Sequence, residues 1–330
     1  MRVAITGGCG FIGTNLTKYL METEPDTEIV LVDLVPPCIE LSKNVRYVYA
    51  DIRDLKSLID AFEGCQEVYN LAGILGTSEL LSIASMACET NIVGACNVFD
   101  ACKIAKVHRV YNVAKPHFEG YAENAYTLTK HAGELLGQMY RQKFGLEVAT
   151  VRWLNAVGPY QHLYPVRKFL PMMILLALYG HDLQVYGSGR QTIDPIDVLD
   201  MSRLTVFACR NLGRQDDVIE LGSGVAISCN DAAELILEIT RQEMVSEYGL
   251  TGKTMPGLLE DFGAKSKIKH IPMRPGEADD INLCADVQYW KNIGVPPSTV
   301  PFETSIRNTV RYILGLPEYH RQNALKFYGL

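Results

Sequence analysis

The first strand-like run of the chain leads directly into a glycine-rich turn. Arg2 to Thr6 is apolar and β-branched, and Gly7, Gly10 and Gly13 follow with the spacing G-x-x-G-x-x-G before a helical pattern begins. In a strand–turn–helix unit the first glycine permits the tight turn, the second permits close approach of a pyrophosphate, and the third permits helix–strand packing. The helix start at Phe11 and Ile12 then offers free N–H groups to the anion. The turn predicts a dinucleotide-binding site.

An acidic residue closes the second strand-like run. Asp33 lies 20 residues after Gly13 and ends the run Ile29 to Asp33. A carboxylate at this point accepts hydrogen bonds from both adenosine ribose hydroxyls and repels a 2′-phosphate. We therefore expect NAD rather than NADP as the cofactor.

Strand-like and helical patterns alternate along the first half of the chain. Strand patterns lie at 2–6, 28–33, 45–49, 67–71, 108–113 and 147–152, and helical patterns at 11–22, 54–62, 85–106 and 125–144. This alternation predicts an α/β fold with a doubly wound parallel sheet of the Rossmann type.

The alternation of strand and helix patterns ends after Asn155, where several prolines predict a loop-rich stretch. Later patterns predict helices at 169–179, 228–247 and 301–315, a strand near 217–221, and a glycine-containing insertion at 249–265. We expect residues 1–155 to form the NAD-binding domain, with the strand near 217–221 returning to its sheet. Residues 156–330 are expected to form a smaller C-terminal α/β substrate lobe.

Composition excludes several classes of protein. The net charge is −7 and neither half is basic, which argues against a nucleic-acid partner. The longest apolar run, 169–179, is too short to span a bilayer, and no signal-peptide pattern precedes the first strand. Nine cysteines without a C-x-x-C pair indicate reduced thiols, and the scattered histidines predict no metal site. We expect a cytoplasmic protein.

Further motifs follow the glycine turn in a fixed order. They are Asp51-Ile52, Leu71-Ala72-Gly73, Asn91-x-x-Gly94, Tyr126-x-x-x-Lys130, Arg152-x-x-Asn155-x-x-Gly158-Pro159, the segment Tyr186 to Thr192, and Arg274-Pro-Gly-Glu277. Together they resemble the extended short-chain dehydrogenase/reductase family. Within it the chain is similar to the NAD-dependent nucleotide-sugar epimerases and dehydratases, such as UDP-glucose 4-epimerase.

The resemblance implies a set of cofactor and substrate contacts. Residues implied to bind NAD are Gly7, Gly10, Phe11, Ile12, Gly13, Asp33, Asp51, Ile52, Leu71, Ala72, Gly73, Asn91 and Lys130. Residues implied to bind a nucleotide-sugar, with UDP as the expected nucleotide, are Asn155, Lys168, Phe169, Arg190, Arg274 and Glu277. Arg274 is suited to the diphosphate because the planar guanidinium can donate two parallel hydrogen bonds to phosphate oxygens.

Tyr126 and Lys130 are the expected catalytic residues. Their i, i+4 spacing places them on one face of a helix. A nearby ammonium and the positive nicotinamide ring favour the phenolate, which can then take the proton of a sugar hydroxyl.

The chain departs from the family pattern in three places. Ala114 stands where the family has Ser or Thr, so that Asn112 or one of Lys115, His117, Glu119 and Glu123 would have to replace the hydroxyl. Lys115-Pro116 replaces the Asp-Glu pair of the dehydratases. Ile193 replaces a phosphate-binding Arg, for which Arg190 or Arg167 could substitute.

We therefore expect a nucleotide-sugar 4-epimerase that transiently oxidises C4. The alternatives are a variant dehydratase or 4-ketoreductase on the same fold, and a non-catalytic NAD-binding sensor. The resemblance also implies a homodimer that pairs the helices at 85–106 and 125–144, although their apolar positions Ile92, Ala95, Val98, Leu135 and Met139 could equally lie in the core.

Overall fold

A computed structural model describes residues 1–116, 124–213, 218–248, 266–277 and 281–330. These residues form two compact units. Unit 1 comprises Met1–Leu154, Leu199–Leu221 and Asp286–Pro297, and unit 2 comprises Asn155–Val198, Gly222–Ala285 and Ser298–Leu330. Among the helices of the described ranges, none is long and apolar enough to cross a membrane.

Unit 1 is built on a seven-stranded parallel sheet with the strand order β11-β6-β5-β4-β1-β2-β3. The strands are β1 (Arg2–Thr6), β2 (Glu28–Asp33), β3 (Val45–Tyr49), β4 (Glu67–Asn70), β5 (Arg109–Ala114), β6 (Glu147–Trp153) and β11 (Ile219–Leu221). Because the order reverses beside β1, the carboxyl ends of β1 and β4 border a crevice of the kind that binds ligands in open α/β sheets. The predicted α/β, doubly wound class is confirmed.

Helices cover this sheet and bury its apolar side chains. They are α1 (Phe11–Thr23), α2 (Leu55–Phe62), α3 (Ala84–Cys88), α4 (Gly94–Ile104), α5 (Ala125–Phe144), α7 (Val198–Asn211, beginning one residue before unit 1 resumes) and α9 (Val287–Asn292). Val68, Val98, Phe99 and Val110 are fully buried in one core cluster. Burial of apolar surface in a cluster of this kind is the main favourable contribution to folding.

The described residues of unit 2 form three small sheets and four helices. Its strands are β7 (Asn155–Val157), β8 (Leu183–Tyr186), β9 (Thr192–Ile193), β10 (Pro195–Asp197), β12 (Ile227–Ser228) and β13 (Ile268–Ile271), paired as β10-β7, β12-β9 and β13-β8. Its helices are α6 (Phe169–Leu178), α8 (Cys229–Tyr248), α10 (Phe302–Gly315) and α11 (Glu318–Tyr328). Helix α6 is apolar on all sides because α8, α10 and α11 surround it.

The structure departs from the predicted elements in several places. The helix predicted at 85–106 is interrupted by a π-helical turn at Glu89–Val93. The sequence pattern also missed α7, because the polar residues Asp200, Ser202 and Thr205 are buried on that helix and hide its apolar periodicity. The short strands of unit 2 and α11 lie where loops or no elements were expected. The predicted insertion at 249–265 lies outside the described residues.

Candidate functional site

The glycine turn after β1 has the geometry of an anion cradle. Gly7 has φ of +66°, and a Cβ there would lie 2.9 Å from Ala72 Cα. A Cβ on Gly13 would lie 2.6 Å from Gly8 Cα. Within the described ranges, no side chain caps the start of α1 and no acid occupies its first turn. The N–H groups at this helix start therefore suit a pyrophosphate.

Asp33 is fixed against this turn. Its Oδ2 accepts a hydrogen bond from Cys9 N at 2.9 Å, and its Oδ1 accepts from Leu34 N at 2.7 Å. Oδ1 also accepts from Val35 N at 3.2 Å. A carboxylate has about four acceptor sites, so Asp33 keeps about one for a ribose hydroxyl. Burial together with Asp33 raises the pKa of the Cys9 thiol to about 12, which keeps this thiol neutral beside the site.

The expected adenine contacts follow β3. Asp51 is held by the fork of Arg53, whose Nε and Nη2 lie 3.0 and 2.6 Å from its Oδ2, and this guanidinium lowers the pKa of Asp51. Ile52 is buried, and a Cβ on Gly94 would lie 2.5 Å from its Cδ1. Gly94 therefore allows α4 to approach the loop that carries these residues.

Asn91 lies in the π-helical turn and joins two parts of the site. Its Oδ1 accepts from Ile74 N and its Nδ2 donates to Ile74 O, both at 2.9 Å. The same Nδ2 donates to Thr129 Oγ1 at 3.0 Å, and Thr129 Oγ1 donates to Tyr126 O at 3.1 Å. A Cβ on Gly73 would lie 3.9 Å from Lys130 Nζ. Asn91 thus holds the loop after β4 beside the turn of α5 that carries Tyr126 and Lys130.

Sequence reasoning missed Thr129. A hydroxyl residue directly before the lysine of Tyr126-x-x-x-Lys130 was its only signal. The backbone of the loop after β4 is fixed to β1. The Leu71 N–H donates to the Thr6 carbonyl at 3.2 Å, and the Ala72 N–H donates to the Thr6 hydroxyl at 3.3 Å.

A buried polar ladder crosses the sheet below this loop. Thr6 Oγ1 donates to Asn70 Oδ1 at 2.9 Å, Asn70 Nδ2 donates to Asn112 Oδ1 at 3.1 Å, and Asn112 Nδ2 donates to Gly133 O at 3.2 Å. Asn112 is therefore engaged in holding β5 to β4 and α5, rather than replacing the hydroxyl at Ala114. His117, Glu119 and Glu123 lie outside the described residues.

Burial governs the ionisation of Tyr126 and Lys130. It raises the pKa of the Tyr126 phenol to about 12 and lowers the pKa of the Lys130 ammonium to about 8. Both shifts disfavour the charged form because the surroundings solvate charge poorly. A phenolate at Tyr126 therefore needs a further positive charge from a bound ligand.

The expected substrate residues all lie in unit 2. Arg274 forms a forked ion pair with Glu277, and its Cζ lies 5.1 Å from the ring centroid of Tyr186. Asn155 pairs with the backbone of Asp194, since its Oδ1 accepts from Asp194 N at 3.1 Å. Lys168 and Phe169 begin α6. Arg190 is exposed on the turn after β8.

Asp194 is a fully buried carboxylate that joins three segments of unit 2. It accepts from Ser223 Oγ at 2.6 Å, Gly224 N at 3.0 Å and Ala285 N at 2.8 Å. A Cβ on Gly222 would lie 2.6 Å from its Oδ2. These hydrogen bonds fix the end of β9, where the half-buried Ile193 packs against the core of unit 2.

Comparisons with known proteins agree with this geometry. Residues 3–222 match the family described as the NAD dependent epimerase/dehydratase family. The low-salt glycan biosynthesis protein Agl12 of Haloferax volcanii is 27% identical over 96% of this chain and 99% of its own length. A dTDP-glucose 4,6-dehydratase of Haemophilus influenzae is 27% identical over 95% of this chain and 98% of its own length. The structure of the epimerase Mth375 from Methanothermobacter thermautotrophicus superposes with a TM-score of 0.82 at 21% identity, covering 97% of this chain and 94% of that one.

Proposed function

The chain belongs to the NAD-dependent epimerase/dehydratase family, and we propose that within it the chain is a nucleotide-sugar 4-epimerase. The observation that carries this choice is the end of β5. Ala114 and Pro116 are buried there with Lys115 between them. These positions lack the Asp-Glu pair that dehydratases of the family use to eliminate water. An epimerase needs no such pair, because it only removes and returns hydrogen at one carbon.

The residues of unit 1 fit the family's cofactor. We propose that the glycine turn and the start of α1 bind the pyrophosphate, Asp33 the adenosine ribose, and the Asp51-Ile52 segment the adenine. The loop Leu71-Ala72-Gly73, together with Lys130 and Asn91, is proposed to hold the nicotinamide end. Bound NAD supplies a hydride acceptor and donor for the sugar carbon.

Tyr126 is the proposed base and acid. Its phenolate would take the C4 hydroxyl proton and return it after the sugar has presented its other face. Burial opposes the phenolate, so Lys130, protonated below a pKa of about 8, and the oxidised cofactor would supply the opposing charge. Thr129 and Asn91 keep this turn of α5 in place through their hydrogen bonds.

In unit 2, we propose that Arg274 binds the diphosphate and Glu277 the nucleoside ribose. Asn155, Lys168, Phe169 and Arg190 are proposed as further substrate contacts, with UDP as the expected nucleotide. Arg274 and Glu277 are joined by an ion pair, which would hold the guanidinium and the carboxylate in a defined orientation toward the substrate.

The proposal is tested by product analysis. Purified protein with NAD is incubated with UDP-glucose and UDP-N-acetylglucosamine, and products are separated and followed by mass spectrometry and NMR. The expected result is a C4 epimer of unchanged mass with no accumulation of NADH. Tyr126→Phe should abolish turnover, whereas Tyr319→Phe, at an exposed tyrosine, should not. Unaltered turnover by the Tyr126→Phe variant would contradict the catalytic assignment.

A variant dehydratase is the second candidate, because the relative in Haemophilus influenzae is a dTDP-glucose 4,6-dehydratase. The same assay identifies it when dTDP-glucose is included. A product lighter by one water would establish this activity instead. In a parallel reaction supplied with NADH and a nucleotide 4-keto-sugar, a net reduction that consumes NADH would indicate a ketoreductase. NAD binding without turnover of any sugar would indicate a sensor.

We also propose a homodimer formed through α5. Leu128, Leu135 and Met139 lie on one face of this helix and are 44, 50 and 40% exposed. Ala95 and Val98, by contrast, are buried in the core of unit 1. Exposed apolar faces of this kind favour association with a second copy.

Size-exclusion chromatography with light scattering tests this dimer. Leu135→Glu should convert the dimer to a monomer, whereas Val225→Glu should not. A dimer that persists in Leu135→Glu would rule out this face.

A further inference from the structure

Two arginines from distant parts of the chain meet at one tyrosine in unit 2. Arg167 Nη1 donates a hydrogen bond to the Tyr186 hydroxyl at 3.2 Å. Arg274 Cζ lies 5.1 Å from the centroid of the same ring. One tyrosine therefore positions both guanidinium groups, one at its hydroxyl and the other at its face.

The C-terminal helix holds Arg167 in this position. Its guanidinium carbon lies 5.9 Å from the ring centroids of both Phe327 and Tyr328, on the last turn of α11. The Tyr328 hydroxyl in turn donates to the carbonyl of Leu163, in the loop that leads to Arg167. Aromatic surroundings reduce the freedom of a guanidinium without neutralising it, so the group is pre-organised to bind an anion.

The charges of this cluster favour an anionic ligand. Arg167, Tyr186, Arg274 and Glu277 together carry two positive charges and one negative charge. Arg274 keeps one carboxylate partner, Glu277, so the cluster retains a net positive charge, which a ligand with two ionised phosphoryl groups would neutralise.

Neither of the other candidate positions offers an equivalent cation. Ile193 is apolar, pairs with Ile227 across β9 and β12, and packs against the core of unit 2. Arg190 is exposed, and its own backbone N–H is directed to Ser188 Oγ at 3.3 Å. An exposed arginine on a turn is screened by solvent and loses side-chain entropy on binding, so Arg190 is a weaker contact for a diphosphate than Arg167.

We propose that Arg167 is a second diphosphate-binding residue, which acts with Arg274 across Tyr186 in place of a cation at position 193. This inference rests on the proposed function, because it assigns a residue to the same nucleotide-sugar site. Arg167 would thereby determine specificity for diphosphates over monophosphates. Tyr328 would be a positioning residue that acts through Arg167.

Calorimetric titration of the NAD-loaded protein with UDP, dTDP and UMP tests this assignment. In Arg167→Met, which keeps the length and apolar packing of the side chain but removes its charge, affinity for the diphosphate is expected to fall about 10- to 100-fold. Affinity for UMP should fall less. The matched control Arg311→Met, at an exposed arginine of α10 outside the proposed contacts, should change each affinity less than about twofold, and the NAD affinity of both variants should equal that of the wild type.

Two further variants separate charge from packing. Arg167→Lys retains the charge without the fork and should bind UDP with intermediate affinity. Tyr328→Phe should weaken UDP binding without changing NAD affinity. Wild-type affinity for UDP or dTDP in Arg167→Met would overturn the proposal for Arg167 alone. A wild-type protein that binds neither diphosphate would overturn the proposed nucleotide-sugar function as well.

Discussion

Replacing Gly13 by alanine tests the geometry of the cofactor turn most directly. A Cβ at this position would lie 2.6 and 2.8 Å from two backbone atoms of Gly8, and closer still to the carbonyl oxygen of Gly7. Ordinary carbon contacts begin near 3.5 Å, and backbone atoms cannot rotate away as side-chain ends can. The first turn of α1 must therefore move outward from β1.

The expected cost of Gly13→Ala is about 3 kcal/mol, at the upper end of the range for overpacked cores. For a domain of about 150–250 residues this corresponds to a fall in Tm of about 6–12 °C. Differential scanning calorimetry measures this change. The displaced helix start should also bind NAD at least about tenfold more weakly, since its N–H groups no longer converge on one point.

Gly10→Ala is the matched control. Gly10 has an extended backbone with φ of −78°, and a Cβ there would lie 3.3 Å from the Gly7 carbonyl oxygen. This substitution should cost less than about 1 kcal/mol and leave the Tm nearly unchanged, yet it should weaken NAD binding because its methyl group lies where the pyrophosphate is expected. If Gly13→Ala melted within 2 °C of the wild type and bound NAD equally well, the packing argument would be wrong.

Three further predictions concern charge and hydrogen bonding. In the protein without substrate, Lys130 loses its proton as the pH rises through its pKa of about 8, so kcat/KM should decline above that pH. In Lys130→Arg this alkaline decline should disappear from the pH profile of kcat/KM. Thr129→Val leaves the buried Nδ2 of Asn91 short of an acceptor and should lower kcat by about tenfold, with recovery in Thr129→Ser; equal kcat values for both variants would exclude a role for this hydrogen bond. Glu67→Gln neutralises a fully buried carboxylate that pairs with the partly exposed Arg210, 3.0 Å away, while Arg210 keeps its ion pair with Glu24. The free energy of unfolding in urea should fall by about 1–3 kcal/mol, and an unchanged value would be inconsistent with that pairing.

Local patterns predicted unit 1 well because its elements are locally encoded. Strand β2, for example, has a continuous apolar run at residues 29–32 that is buried on both faces, and the glycine turn requires conformations that only certain residues adopt. The failure at α7 has an equally physical origin. Its buried Asp200 and Thr205 are polar residues at core positions, and a pattern that equates burial with hydrophobicity cannot find them.

The candidate site shows the same division. Tyr126 and Lys130 could be paired from the sequence, because one helix sets their spacing. The role of Asn112 could not, because its partners Asn70 and Gly133 come from a neighbouring strand and a helix. Sequence reasoning left Asn112 open as a replacement hydroxyl group, and only the hydrogen bonds of its amide show that it is engaged elsewhere.

By itself, the sequence determined the class of fold, the family, the cofactor and the residues that a single turn or helix brings together. These properties depend on short-range geometry, which composition and spacing encode. Only the tertiary structure decided that Arg167 and Arg274, 107 residues apart in the chain, meet at Tyr186. Contacts of this range depend on how packed elements close long loops, and no local pattern specifies which distant side chains will then be neighbours.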